Sequence, residues 1–138
     1  MKFFVSQQHL QEVITYCQHQ YPFEACGILS GTFDRNHYIV KRMWKLRNEL
    51  SSTSRFYVSE QEVEKTFHAI KQLNETILFV FHSHPSAPAV PSYEDVKHHI
   101  DPQIGMMIIS LANTKPDVQC YTIENDGYKH CDWLTNSS

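Results

Sequence analysis

At 138 residues, with 41% hydrophobic and 20% charged, the chain has the length and balance of one globular domain, taken as residues 1–138. A formal net charge of -3 offers nothing to a phosphate backbone, so nucleic acid is excluded as an expected partner. The N-terminus turns polar after Phe3-Phe4-Val5 and no apolar run reaches membrane-spanning length, so a secretory leader and a membrane partner are not expected either.

Cys17, Cys26, Cys120 and Cys131 form no C-x-x-C pair, which fits free thiols in a cytoplasmic protein. Along the chain, Leu10, Val13, Ile14 and Cys17 share one helical face behind Ser6 as N-cap, predicting a helix over 6–20 that Tyr21-Pro22 ends. Residues 25–33 and 37–46 read as paired strands across Asp34-Arg35-Asn36. The Asn- and Ser-rich stretch 47–55 reads as a loop, followed by a short strand at 56–58. Ser59 and Glu62 form a capping box for a helix over 60–73, with Val63, Phe67 and Ile70 as its apolar stripe.

The unbroken apolar run 77–81 predicts a central strand covered on both faces. After a proline-rich loop, 93–100 reads as a helix and 104–111 and 118–124 as strands. Asn125-Asp126-Gly127 is a turn into a last short strand before a polar tail at 135–138. Strands and helices mixed in this way predict an α/β fold, a mixed, mostly antiparallel sheet flanked by helices.

The chemistry gathers after the apolar run. His82 and His84 lie two apart at a strand end, so both imidazoles leave one face while Ser83 points the other way, and Pro85 stops the strand at what reads as a sheet edge open to a cleft. Asp95 follows eleven residues after His84, and two imidazoles with one carboxylate suit a single zinc ion with its fourth position left for water. Two alternatives stand beside this. The histidines could face solvent at a strand end, and Ser92-Tyr93-Glu94-Asp95 is also an S-x-x-D helix start, in which Ser92 is the cap and Asp95 belongs to the first turn. The capping and zinc readings are compatible, because a capping serine accepts through its oxygen and keeps its proton for a substrate oxygen, and a helix N-terminus favours the ionised Asp95 that a metal needs. His98 and His99 read as surface residues or as supports around the ligands, and His37, His68 and His130 have no partner at ligand spacing.

His82-Ser83-His84, seven residues, Ser92, two residues and Asp95 match without a gap the pattern of the JAMM metallopeptidases, the MPN+ branch of the Mov34/MPN/PAD-1 family, which the chain resembles over nearly its whole length. Within Phe23-Glu24-Ala25-Cys26-Gly27, which looks like the compact prokaryotic members, Glu24 falls on the family's upstream glutamate. The resemblance implies a cytidine-deaminase-like core and one zinc ion with a bound water, held by His82, His84 and Asp95. It implies Glu24 as general base and Ser92 as oxyanion donor. The implied activity is hydrolysis of a peptide or isopeptide bond at the Gly-Gly tail of a ubiquitin-like or sulfur-carrier protein. The inserted segments with which eukaryotic relatives grip ubiquitin are lacking, which points away from ubiquitin chains. A non-catalytic MPN-type scaffold is the alternative, and retention of all five residues argues against it. A nucleobase deaminase would need H-x-E and P-C-x-x-C, and neither is present. Nothing in the sequence sets an oligomeric state.

Overall fold

The computed structural model describes residues 2–99 and 101–136. Their order is β1 (Lys2–Phe4), α1 (Gln7–Gln20), β2 (Cys26–Asp34), β3 (His37–Leu46), α2 (Glu60–Gln72), β4 (Thr76–His84), α3 (Tyr93–Lys97), β5 (Gly105–Ser110), β6 (Asp117–Glu124), β7 (Gly127–His130) and β8 (Trp133–Leu134). The strands form one sheet in the order β7-β6-β5-β4-β2-β3-β1-β8. Four of its seven pairings are antiparallel and three parallel, so the expected mixed, mostly antiparallel sheet flanked by helices is found.

Local chemistry explains most boundaries. Ser6 caps α1 by accepting from His9 N at 3.1 Å, and Tyr21, held extended by the following proline, ends it. The β2–β3 and β6–β7 hairpins turn on Arg35-Asn36 and Asn125-Asp126, all at positive φ, as two-residue turns matched to strand twist require. Ser59 caps α2 by accepting from Glu62 N, but the predicted box is only half made. The Glu62 carboxylate instead accepts from Arg47 N at 2.8 Å and ties α2 to the end of β3.

Three expectations change. No strand forms at 56–58, because Asn48 Oδ1 takes Tyr57 N and Glu49 N takes Tyr57 O, leaving those groups nothing to offer a neighbouring strand. The predicted helix over 93–100 stops at Lys97, beyond which the His99 ring turns to the Ile104 carbonyl at 2.7 Å. Its predicted end at Ile100, and Ser137 and Ser138 of the predicted tail, lie outside the described residues. Third, the histidines do not sit at a sheet edge, because β4 is central, as its apolar run predicts. It is paired with β2 on one side and β5 on the other, so the histidines sit at the carboxyl end of a central strand.

The sheet is curled. β7 and β8 occupy opposite edges yet follow one another in the chain, separated only by Cys131 and Asp132. Cys131 N donates to Cys120 O on β6, and one residue later Asp132 O accepts from Phe3 N on β1. Inside the curl, Val13 and Cys17 of α1 pack with Leu29, Phe79, Phe81, Met107 and Ile109. On the other face, Ile70 of α2 packs with Cys26, Ile28 and Leu46. That outer face also receives His82 and His84. Gly27 is required where β2 lies beside β4, opposite Phe81, since a Cβ there would lie 2.3 Å from the Phe81 ring and 2.4 Å from Trp44 O. All four cysteines are free thiols, as expected, and no helix among the described residues is long and apolar enough to cross a membrane.

Candidate metal centre

The last turn of the pleat in β4 delivers both imidazoles to one place. Their ring centroids are 5.0 Å apart, and the chain then loops through residues 85–91 to bring Asp95 over them. Asp95 Oδ2 lies 3.1 Å from His84 Nε2, and Oδ1 lies 3.6 Å from His82 Nε2. One ligand atom from each of the three residues falls within 4.8 Å of the others, a group that could hold a metal ion.

Asp95 is also the third residue of α3. Ser92 Oγ accepts from Asp95 N at 3.0 Å while Ser92 N donates to Asp95 Oδ2 at 2.9 Å, a complete capping box. The helix start and the carboxylate pointing at the histidines are therefore one arrangement. Ser92 is exposed, and because its oxygen accepts from Asp95 N, its own proton remains for another acceptor.

The two histidines are held differently. His84 Nδ1 lies 2.8 Å from Pro88 O, which can only accept, so Nδ1 carries the proton and Nε2 is the nitrogen turned to Asp95. His82 is 1% exposed, and neither of its ring nitrogens has a hydrogen-bond partner. Leaving such a donor buried and unpaired typically costs about 1–3 kcal/mol. A cation held at His82 Nε2, His84 Nε2 and Asp95 would take the lone pair of each ring, separate that of His84 from the carboxylate and leave the His82 proton on Nδ1, facing Glu24, so the donor set fits a divalent metal.

Glu24 completes the group from the other side. It is 4% exposed, and its Oε1 lies 3.6 Å from His82 Nδ1. Its main chain is held at both polar groups, with N donating to Ser52 O at 2.7 Å and O accepting from Asn48 Nδ2 at 3.0 Å. Asn48 spends its whole amide on this loop, donating also to Arg55 O and accepting from Leu50 N and Tyr57 N. The same loop lays the Phe56 ring 5.1 Å from that of His82.

Burial pushes the Glu24 carboxyl up to about 7 from 4.5, with His84 pulling down and Asp95 pushing up. Burial drives His82 down to about 4 against the opposing pull of Asp95. For His84, burial works downward, but the hydrogen bonds to Asp95 and to Pro88 O outweigh it and the net shift is upward. Burial would raise Asp95, yet the His84 hydrogen bond, the His82 charge and the Ser92 N–H bring it down to about 2.

All five residues singled out in the sequence thus meet: His82, His84 and Asp95 as a cluster, Glu24 against His82, and Ser92 against Asp95. His98 pairs with Glu94 at the surface and His99 with a carbonyl, outside the cluster. Sequence reasoning missed Asn48 and Phe56. A loop asparagine announces its four bonds only through its surroundings, and Phe56 was read as a strand residue.

The fold and the cluster together define a class: an α/β domain with a two-histidine, one-aspartate group at the carboxyl end of a central strand. The chain belongs to the prokaryotic homologs of the JAB domain, whose family pattern matches residues 6–124. It is similar to a CysO-cysteine peptidase of Mycobacterium bovis, 26% identical over 101 residues that make up 73% of this chain and 68% of that protein. A desampylase of Pyrococcus furiosus is 30% identical over 90 residues, 65% of this chain and 61% of that protein. The solution structure of a Desulfitobacterium hafniense protein superimposes with a TM-score of 0.87 at 29% identity, covering 99% of this chain and 94% of the other.

Proposed function

We propose that this chain is a zinc-dependent peptidase or isopeptidase, a single JAMM-type catalytic domain working in the cytoplasm, that cleaves the bond at the C-terminal tail of a ubiquitin-like or sulfur-carrier protein. The observation that carries this reading is His82, buried with both ring nitrogens unpartnered between Asp95 and Glu24. Two imidazoles and one carboxylate are a ligand set that leaves zinc an open position. The names of the relatives, a CysO-cysteine peptidase and a desampylase, agree with the proposed bond and substrate class.

Bound by His82, His84 and Asp95, zinc would lower the pKa of its water toward about 7 and polarise the scissile carbonyl. Glu24, buried beside His82, accepts a proton from the attacking water and hands it to the leaving amine. Ser92 donates its free hydroxyl proton to the carbonyl oxygen as that oxygen gains charge. Asp95 is held as the carboxylate that ligation needs, with the Ser92 N–H donating to its Oδ2.

Because β4 is paired on both sides, a Gly-Gly tail does not reach the cluster by adding to that strand. Phe56 is exposed and its ring lies on that of His82, so apolar surface is available beside the cluster for a narrow glycine tail to cross.

The test joins metal analysis of the purified protein to cleavage of a reporter fused behind a Gly-Gly-tailed ubiquitin-like carrier from the same genome. We expect about one zinc per chain, lost in His82→Ala, and a drop of about 100- to 10,000-fold in cleavage for Glu24→Gln with zinc retained. Full activity in Glu24→Gln, or unchanged zinc in His82→Ala, would overturn the assignment.

A further inference from the structure

Residues 85–91 carry the chain from His84 to the helix that bears Asp95, and they bring almost no polar side chains of their own. Three are prolines, two are alanines and one is Val90, so Ser86 is the only residue with a polar side chain. Such a loop must find partners for its main chain elsewhere. Three consecutive carbonyls find them on three different strands. Ala87 O accepts from Ser110 Oγ of β5 at 2.6 Å, Pro88 O from the His84 ring of β4 at 2.8 Å, and Ala89 O from the Tyr121 hydroxyl of β6.

Ser110 and Tyr121 are 3% and 2% exposed, so these hydroxyls have no water to turn to. Ser110 Oγ also accepts from Ala112 N, which commits its own proton to Ala87 O. Ser110 is the register partner of His84 across β4 and β5, so the strand that carries one ligand is adjacent to the anchor of the loop leading to the next. Tyr121 packs with Ala89 in a small apolar cluster that Val96, the neighbour of Asp95, also joins. The loop, and the carboxylate beyond it, lie where these two hydroxyls hold them.

We propose that Ser110 and Tyr121 are positioning residues of the metal centre, setting its affinity for zinc by holding the carbonyls of Ala87 and Ala89 so that Asp95 meets His82 and His84. This rests on the zinc reading, and neither residue is itself a ligand. Supporting groups of this kind typically change metal affinity by about 10- to 100-fold when removed.

The experiment measures zinc affinity by competition with a chromogenic chelator, at a temperature where the metal-free proteins are folded. It compares wild type, Tyr121→Phe, Ser110→Ala, Ser110→Thr and His82→Ala, and records the visible spectrum of the cobalt-substituted forms. Tyr121→Phe and Ser110→Ala should each weaken zinc by about 10-fold or more and alter the cobalt bands, while Ser110→Thr, which keeps a hydroxyl, restores affinity. Wild-type affinity and spectrum in both Tyr121→Phe and Ser110→Ala, even with a lowered melting temperature, would mean the hydroxyls only pack the loop and would overturn the proposal. If wild type and His82→Ala bind zinc alike, the ligand assignment has failed first, a pattern distinct from failure of the anchors alone.

Discussion

Ser83 and Ala25 hold each other twice. Ser83 N donates to Ala25 O at 2.9 Å, and Ser83 Oγ accepts from Ala25 N at 2.8 Å, across 58 positions of sequence. Each sits beside a residue of the cluster, Ser83 between the two histidines and Ala25 directly after Glu24. The pair therefore fixes the distance between the carboxylate and the imidazoles, and the alternation that sends the histidines outward sends Ser83 inward to make the tie.

Ser83→Ala should leave Ala25 N buried and unpaired and cost about 1–3 kcal/mol in urea unfolding. On the proposed roles, zinc content should stay near wild type while cleavage falls, because the three metal-binding side chains remain in place and Glu24 moves. A variant as stable and active as wild type would show that the side-chain half of the tie is dispensable.

Glu24→Gln should change the metal-free protein in a pH-dependent way. A carboxyl raised from 4.5 to about 7 by burial contributes stability that is fully present below 4.5 and is lost as pH rises through 7. Glutamine has no such loss. The melting temperature of Glu24→Gln minus that of wild type should therefore be larger at pH 8 than at pH 4.5, measured by calorimetry with chelator present. An unchanged difference across that window would mean Glu24 is not desolvated in the folded chain.

Gly27→Ala should be poorly tolerated. The added methyl meets both the Phe81 ring and the backbone oxygen of Trp44, and the latter cannot rotate away. A loss of about 1–3 kcal/mol is expected from chemical denaturation. Because Gly27 lies only three residues from Glu24, the variant should also lose activity faster than zinc.

The thiols should differ sharply in reactivity. Burial pushes Cys17 and Cys26 up to about 12 and Cys120 well above its ordinary value, whereas a hydrogen bond from Cys120 lowers the partly exposed Cys131. Iodoacetamide at neutral pH should label Cys131 first, with the other three reached only on unfolding, as read by peptide mapping. Labelling of Cys26 at the rate of Cys131 would contradict its packing against Ile28 and Ile70.

How much could be read from the chain depended on range. His82, His84, Ser92 and Asp95 lie within fourteen positions, so strand alternation and one capping box predict their meeting. The amphipathic helices α1 and α2 were legible for the same reason, each carrying its periodicity and its serine cap. Glu24 was not, since nothing local distinguishes a buried carboxyl from a solvated loop acid beside Pro22. Only the family resemblance singled it out, and the bonds that place it, from Ser52, Asn48 and Ser83 through Ala25, are all made at a distance. The strand expected at 56–58 failed because propensity cannot see an asparagine nine residues earlier taking the main-chain N–H. β1 and β8, at three and two residues, are too short to show a period, and they exist because each finds a parallel partner.

That pairing has a consequence for how the chain reaches its final state. Phe3 is in register with Trp133, so the contact that completes the sheet joins residues about 130 positions apart, and closing so long a loop is among the slower demands on a folding chain. On a ribosome, β1 can pair with β3 early, while its other edge waits for β8 to emerge. The histidine-bearing strand and its neighbours β2 and β5 can assemble earlier, which would let His82, His84 and Asp95 come together before the sheet around them has closed.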